Sequence, residues 1–306
     1  MSTILFSIVI ITRNRAAKLQ HTLDSVKSIE FPREQYEVII VDNGSTDSTA
    51  EVSEKFFVNT NINHQVVIEN RPGICRARNK GIESADGETV LFLDDDALIN
   101  SNLLDVYKDA RSRYPNAAAF GGPARLDPAI PRPWWWIDEF DKTMSCQNYG
   151  EHYLTYPEGA NPYGLNMLIK RDVLRAVGGF DERLDDLTGS FADETELFLR
   201  LKKRGETIIY VPDAGVIHSV MPDRLQWRNF MNRFRLVGRS HACLDRMHNT
   251  YHARRLLRRM ASALALFIKH GSPAVFFTEL YAWDGYRRFR SSGPGVIPVK
   301  QQGSRV

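Results

Sequence analysis

The chain has 306 residues, of which 43% are hydrophobic and 25% charged, and a formal net charge of +3. This length accommodates one large α/β domain, or one domain with an appendage, and the balance excludes a disordered or collagen-like chain. Cys75, Cys146 and Cys243 are too scattered, and odd in number, for a disulfide framework or a cysteine zinc site, which fits a reducing cytosol.

No stretch reaches the roughly 18–20 apolar residues of a membrane span; the run over 260–268 is too short and ends in Lys269-His270-Gly271. After Met1-Ser2-Thr3 comes ILFSIVII, and only then Arg13 and Arg15. A secretory signal carries its basic residues before the apolar run, so residues 6–12 are expected to form a buried strand. Leu19, Leu23, Val26 and Ile29 recur at helical spacing over 16–29, and Phe31-Pro32 ends that helix. A second strand is expected over 36–42, followed by a helix for which Ser45 or Asp47 suits the N-cap. A third strand over 64–70 turns at Arg71-Pro72-Gly73. A helix over 75–85 and a fourth strand over 89–96 complete a β-α-β-α-β-α-β series, which implies a mostly parallel sheet with helices on both faces.

Beyond residue 97 the pattern is less regular. Pro128, Pro131 and Pro133 flank Trp134, Trp135 and Trp136. Residues 164–184 read as a short strand, a helix and a Gly-Gly stop. Residues 193–205 read as an amphipathic helix, with Leu197, Leu199 and Leu201 partly buried and Gly205 as its stop. Residues 206–218 read as an edge strand interrupted by Pro212, then a short strand ending at His218. From Leu225 to Arg290 thirteen Lys and Arg face three Asp and Glu, with Phe230, Phe234, Val237, Leu256, Leu257, Leu264 and Phe267 supplying apolar helix faces. The tail after Ser291 contains Gly and Pro and is expected to be mobile. The division expected is a domain over 1–220, its nucleotide half about 1–97 and its acceptor half about 98–220, followed by a basic helical region and tail over 221–306.

The chemistry concentrates where the fourth strand ends. Val90-Leu91-Phe92-Leu93 runs straight into Asp94-Asp95-Asp96. Adjacent carboxylates repel and raise one another's pKa unless a cation neutralises them, and hard oxygen ligands suit Mg²⁺ or Mn²⁺. A solvated acidic turn would carry the same triplet. The neighbouring strand ends favour a site: Thr12, Arg13 and Asn14 in TRNR, Asp42 and Asn43 in DNGSTD, and Arg71 in ENRPG all open at one edge of a parallel sheet, where such sheets bind ligands. Asp42 suits a base N–H, and the basic side chains and helix N-termini suit phosphate.

Taken in order, SIVIITRNR, YEVIIVDNGSTDST, RARNKGI, VLFLDDD, LNMLIKRDVLRAVGGFDE and DETELFLRL resemble family 2 glycosyltransferases of the GT-A fold over roughly residues 5–220. The resemblance implies a nucleotide-sugar donor, a DxD-type metal motif binding Mg²⁺ or Mn²⁺, and inversion at the anomeric carbon. It places Thr12, Arg13 and Asp42 in the nucleoside pocket and Asn79 in the family's RN-G helix. Asp94, Asp95 and Asp96 fall in the DxD region, with Asp96 the direct metal ligand. Asp193-Glu194 falls at the acceptor-side acid pair, in reversed order, with Glu194 at the position of the base. His218 falls where some members reach the metal or diphosphate; a surface histidine at a strand end is the other reading. UDP- or dTDP-sugars are the favoured donors and a GDP-sugar is compatible. The acceptor is expected to be a glycan or glycolipid.

The tryptophan triplet suits stacking on sugar rings, a membrane interface or core packing. The basic C-terminal helices suit an anionic membrane surface at the inner face of the membrane, a homodimer interface, or a solvated face. No nucleic-acid module is visible. Two rivals stand beside the transferase: a sugar nucleotidyltransferase, which needs a glycine-rich phosphate loop where TRNRAAKL has no glycine, and a degenerate nucleotide-sugar-binding or membrane scaffold protein, against which Asp96 and Glu194 argue.

Overall fold

The computed structural model describes residues 4–58, 60–188, 192–248 and 267–291. Leu256, Leu257, Leu264, most of the run over 260–268 and the tail after Ser291 lie outside them. The chain forms two compact units, the first comprising Met1–Ile130, Asp141–Asp181 and Glu194–Val220.

In the first unit β1 (Phe6–Thr12), β2 (Tyr36–Asp42), β3 (Asn63–Ile68) and β4 (Thr89–Asp94) lie in the order β3-β2-β1-β4, all parallel. β1 and β2 are buried almost throughout, which is why they read as unbroken apolar runs and not as alternating ones. The crossovers are α1 (Ala16–Lys27), α2 (Thr49–Phe57) and α3 (Ile74–Ser84). α1 buries Leu19, Leu23 and Val26, the face that its spacing marks. The N-cap of α2 is Ser48 and not the expected Ser45 or Asp47, although Asp47, one residue earlier, accepts the Thr49 N–H at 3.0 Å. Register aligns the strand ends: Thr12 lies opposite Asp42, and Ile11 opposite Asp94.

The later strands are short: β5 (Ala97–Ile99), β6 (Ala119–Gly121), β7 (Ala124–Leu126), β8 (Leu154–Thr155), β9 (Met167–Lys170), β10 (Ile208–Tyr210) and β11 (Val216–His218). The main sheet continues past β4 as β9-β6-β10-β8, with β9 antiparallel to both β4 and β6. Residues 206–218 differ from the expected edge strand. β10 sits inside the sheet because the two-residue β8 pairs along its outer side. β11 belongs to a second sheet, β5-β11-β7. That sheet has a local consequence: β11 runs antiparallel to β5 with His218 opposite Ala97, and the Ser219 N–H reaches the Asp96 carbonyl at 2.8 Å.

Between these strands come α4 (Leu103–Arg113), α5 (Arg171–Ala176), α6 (Arg183–Thr188) and α7 (Asp193–Lys203). Gly205, with φ +81°, follows α7 as its stop. The three cysteines are free and buried.

The described residues of the second unit fall in Pro131–Phe140, Glu182–Asp193 and Met221–Val306. Its main elements are α8 (Trp227–His248) and α9 (Ala274–Ser291). Phe230 is the centre of an aromatic cluster, with the Trp135 and Phe140 rings each 5.0 Å away. Tyr286 of α9 donates a hydrogen bond to Asp245 of α8 at 2.7 Å. Among the described residues no helix is long and apolar enough to cross a membrane.

α3 can lie on β1 because position 81 is glycine: a Cβ there would come within 2.4 Å of Val9 Cγ1. Gly81→Ala is expected to lower stability by about 1–3 kcal/mol, the usual cost of overpacking, read as a lower urea midpoint at unchanged slope. An unchanged midpoint would show that α3 shifts without cost.

Candidate active site

Asp94 is the last residue of β4, and Asp95 and Asp96 form the turn into β5. Asp95 and Asp96 are 3% and 1% exposed, so their charge requires local compensation. The neighbouring loop supplies it. Asn14, in the left-handed region at φ 52°, turns the chain after β1, and Arg15 follows it. The Arg15 guanidinium donates one nitrogen to Asp95 Oδ1 and the other to Asp96 Oδ2. Thr12 Oγ1 donates to Asp95 Oδ2 at 2.8 Å. Burial still pushes Asp95 up to about 7, with Arg15 pulling down and Asp96 adding to the rise. Burial likewise raises Asp94, against the pull of Arg78.

Asp96 Oδ1 points to His218, whose Nε2 lies 3.2 Å away; His218 is 2% exposed. On the other side of the ring, Nδ1 is 2.7 Å from the Met144 carbonyl oxygen. A carbonyl only accepts, so Nδ1 carries a proton, and the opposite nitrogen, Nε2, faces a carboxylate. Nε2 is buried without a hydrogen bond. A ring nitrogen held this close to an anionic oxygen is matched by a proton or a metal ion between them. These two donors fit Mg²⁺ or Mn²⁺, ions that take a few protein ligands and complete their shell with water and substrate phosphate. Among the described residues no three Asp, Glu, His or Cys side chains converge as a cage, so substrate oxygens would have to complete the set.

On the other side of the triplet stands Arg78, on α3 and 1% exposed. Its guanidinium lies over the Phe180 ring, 5.1 Å from the centroid. Nη2 is 3.3 Å from Glu194 Oε1 and 3.8 Å from Asp94 Oδ1. Glu194 Oε1 also accepts the Gly164 N–H at 2.9 Å. A Cβ at position 164 would lie 1.9 Å from Arg78 Nη2 and 2.6 Å from Glu194 Oε1, so only glycine fits. The Glu194 side chain is 20% exposed, whereas Asp193 is buried. The third acid of this stretch, Glu196, is 1% exposed and held by Arg200 at 2.7 Å.

The remaining expected residues form the surrounding loops. Asp42 Oδ1 accepts the Ser45 N–H at 2.8 Å. Asn43 donates to the Glu69 and Arg71 carbonyls and accepts from the Gly73 N–H, each at 2.9 Å, and so fixes the loop after β3. Arg71 is exposed and pairs with Glu69 at 3.2 Å. Arg13 is exposed, and Asn14 Oδ1 accepts the Thr46 N–H at 2.7 Å. Asn79 meets the Phe180 backbone with both ends of its amide, at 2.9 and 2.8 Å, and holds that turn beneath Arg78. The structure thus gathers Thr12, Asp94, Asp95, Asp96, Glu194 and His218, and adds Arg15 and Arg78, to which the sequence reading assigned no role. Three adjacent carboxylates needed cations, and both arginines stand inside the motifs already marked.

Residues 7–178, more than half of the chain, match the family model Glycosyl transferase family 2. The chain belongs to that family. This glycosyltransferase is 40% identical over 230 residues to the Haloferax volcanii glycosyltransferase AglE, covering 71% of this chain and 67% of that protein. It is 29% identical over 243 residues to the glucosyl-dolichyl phosphate glucuronosyltransferase of the same organism, covering 76% and 74%. Its fold is similar to that of the mannosyltransferase PcManGT from Pyrobaculum calidifontis in complex with GDP-Man and Mn²⁺ (TM-score 0.64, 17% identity, 94% and 87% covered). It is also similar to S. aureus TarS 1–349 in complex with UDP-GlcNAc (TM-score 0.55, 16% identity, 93% and 90% covered). The family 2 transferase therefore has a GT-A fold, with the Asp triplet at the end of β4.

Removing the cation from this triplet should expose its cost. Arg15→Met is expected to destabilise the protein by about 3–5 kcal/mol at pH 8, the usual penalty for orphaning buried charge. The loss should shrink toward about pH 5: without Arg15 the folded-state acids hold their protons to higher pH than in the unfolded chain, so stability falls as pH rises. Urea unfolding of both proteins at each pH tests this. An equal loss at both would mean that Arg15 acts through packing alone.

Proposed function

We propose that the chain transfers a sugar from a nucleoside diphosphate sugar to an acceptor hydroxyl with inversion at the anomeric carbon, and that Glu194 is the general base. The observation that carries this reading is the bridge through Arg78. One buried guanidinium lies 3.3 Å from Glu194, which keeps an exposed edge, and 3.8 Å from Asp94 at the donor-side triplet. In this reading Glu194 takes the proton of the acceptor hydroxyl as its oxygen bonds to C1. The C1–oxygen bond to the diphosphate breaks, and its electron pair leaves with the phosphate oxygen. The Gly164 N–H and Arg78 hold the Glu194 carboxylate in one place, so orientation is set before the acceptor arrives. Arg15 and the helix N-termini favour the diphosphate. Mg²⁺ or Mn²⁺ on Asp96 Oδ1 and His218 Nε2 would supply Lewis-acid stabilisation of the leaving group.

Asp42 accepts a base N–H with the oxygen not used by Ser45, which suits uracil or thymine and is compatible with guanine. The similar structures hold UDP-GlcNAc in one case and GDP-Man with Mn²⁺ in another. One relative is named for a glucosyl-dolichyl phosphate, which supports a glycan or glycolipid acceptor. The free, buried cysteines suit a reducing cytosol. A sugar nucleotidyltransferase is disfavoured by the glycine-free turn after β1, and a degenerate binder by the accessible, oriented Glu194.

Mn²⁺-dependent release of nucleoside diphosphate from a panel of donors, with the anomeric configuration of the product read by NMR, tests the reaction. Glu194→Gln is expected to cut turnover by at least about 10²-fold, the low end for a lost general base, with donor affinity close to wild type. Asp193→Asn should cost less. A product with retained configuration, or a reversed order of the two variants, would overturn the assignment.

A further inference from the structure

Among the described residues nine large apolar side chains are exposed, and seven of them belong to the second unit. Trp134 is 85% exposed, Ile268 75% and Leu280 51%, with Phe277 and Trp227 at 43% and 37%. Two of them, Trp227 and Phe277, touch, and the segments that carry the others are tied to these two. Trp227 stands edge-on to Trp135 at 5.2 Å and to Phe277 at 5.6 Å. Ser272, between Ile268 and α9, donates to the Trp135 carbonyl at 2.6 Å and ties that link to the tryptophan loop. Phe277 and Leu280 project one turn apart from the same side of α9. Soluble surfaces rarely gather exposed aromatic and aliphatic side chains in this way without a partner.

The charge around them selects the partner. In 221–248 and 267–291, Arg228, Arg246, Lys269, Arg287, Arg288 and Arg290 are exposed against one exposed acid, Asp223, while the tryptophan loop adds exposed Asp138, paired with Arg132 at 3.1 Å, and Glu139, which pairs with Lys269 at 3.2 Å. Asp245 and Glu279 are buried, and Asp284 is neutralised by Arg235 and Arg288 at 2.8 and 2.7 Å. Arg228 adjoins Trp227, and Lys269 adjoins Ile268. A second copy of this face would set like charges against one another, at a cost; phosphate headgroups complement them. Sugar stacking would use the tryptophans, but not Ile268 or Leu280.

We infer that the second unit docks on an anionic lipid surface, inserting Trp134, Trp227, Ile268, Phe277 and Leu280 between headgroups while the surrounding Arg and Lys side chains bind the phosphates. The indoles sit at headgroup depth and the aliphatic tips reach the acyl boundary. None of these residues has a role in the transfer reaction proposed above, so the two readings stand or fall separately.

Flotation of the full chain with phosphatidylcholine vesicles, with and without phosphatidylglycerol, at low and high salt, tests this. The wild type should float with the anionic vesicles, less so at high salt, and its tryptophan emission should shift to the blue. Trp134→Ser/Ile268→Ser should lower the partition coefficient by at least about tenfold. Arg287→Gln/Arg290→Gln should lower it several-fold and flatten the salt dependence. Thermal melts should match wild type, because all four side chains are exposed. Failure of the wild type to float, or equal flotation of all three proteins, would overturn the inference. So would a dimer in sedimentation that only the Trp134→Ser/Ile268→Ser change dissociates, with no vesicle binding.

Discussion

Asp95 and Asp96 cannot both be buried at the end of a strand, with half-buried Asp94 beside them, unless cations or proton donors reach the cluster. An orphaned buried charge costs several kcal/mol, a large part of the roughly 5–15 kcal/mol by which a domain is stable. The first unit meets this demand from three directions. β1 and its turn deliver Arg15 to Asp95 and Asp96. α3 delivers Arg78 toward Asp94. The small second sheet delivers His218 to the remaining oxygen of Asp96. Each element is placed by interactions unrelated to charge: parallel register for β1, a missing Cβ at Gly81 for α3, and pairing with β5 for β11.

The same compensation makes the site usable. Asp96 divides its two oxygens between the Arg15 guanidinium and the His218 ring, so one side of it meets a fixed cation and the other an imidazole. Arg78 joins the triplet to Glu194, which a backbone N–H also holds. Asp94 and Glu194 therefore share a buried cation, and substituting it disturbs both. Asn79 and Phe180 sit beneath that cation as its mount.

Much of this was legible in the sequence where periodicity is long. β1, β2 and β4 read as unbroken apolar runs because both faces are covered, and α1 read from Leu19, Leu23 and Val26. The Asp triplet and the strand-end loops marked the site for the same reason: a parallel sheet collects its carboxyl ends. What was not legible lives in contacts without local pattern. β5 to β8 have two or three residues each, too few for a period of two to show. Nothing near His218 announces that the Met144 carbonyl, 74 residues away, sets its tautomer. Asn79 was visible as a motif residue, but its backbone partner, Phe180, lies 101 residues on. Arg15 and Arg78 were readable as charges near acids, and only the fold shows which acid each one meets.

The most direct test of the aspartate cluster as a cation-assisted diphosphate site is anomalous scattering from Mn²⁺ in crystals of the full chain grown with a nucleoside diphosphate. The account predicts one strong peak in contact with Asp96 Oδ1, His218 Nε2 and phosphate oxygens. A diphosphate bound on Arg15 with no such peak, or a peak at a site away from Asp96, would contradict it.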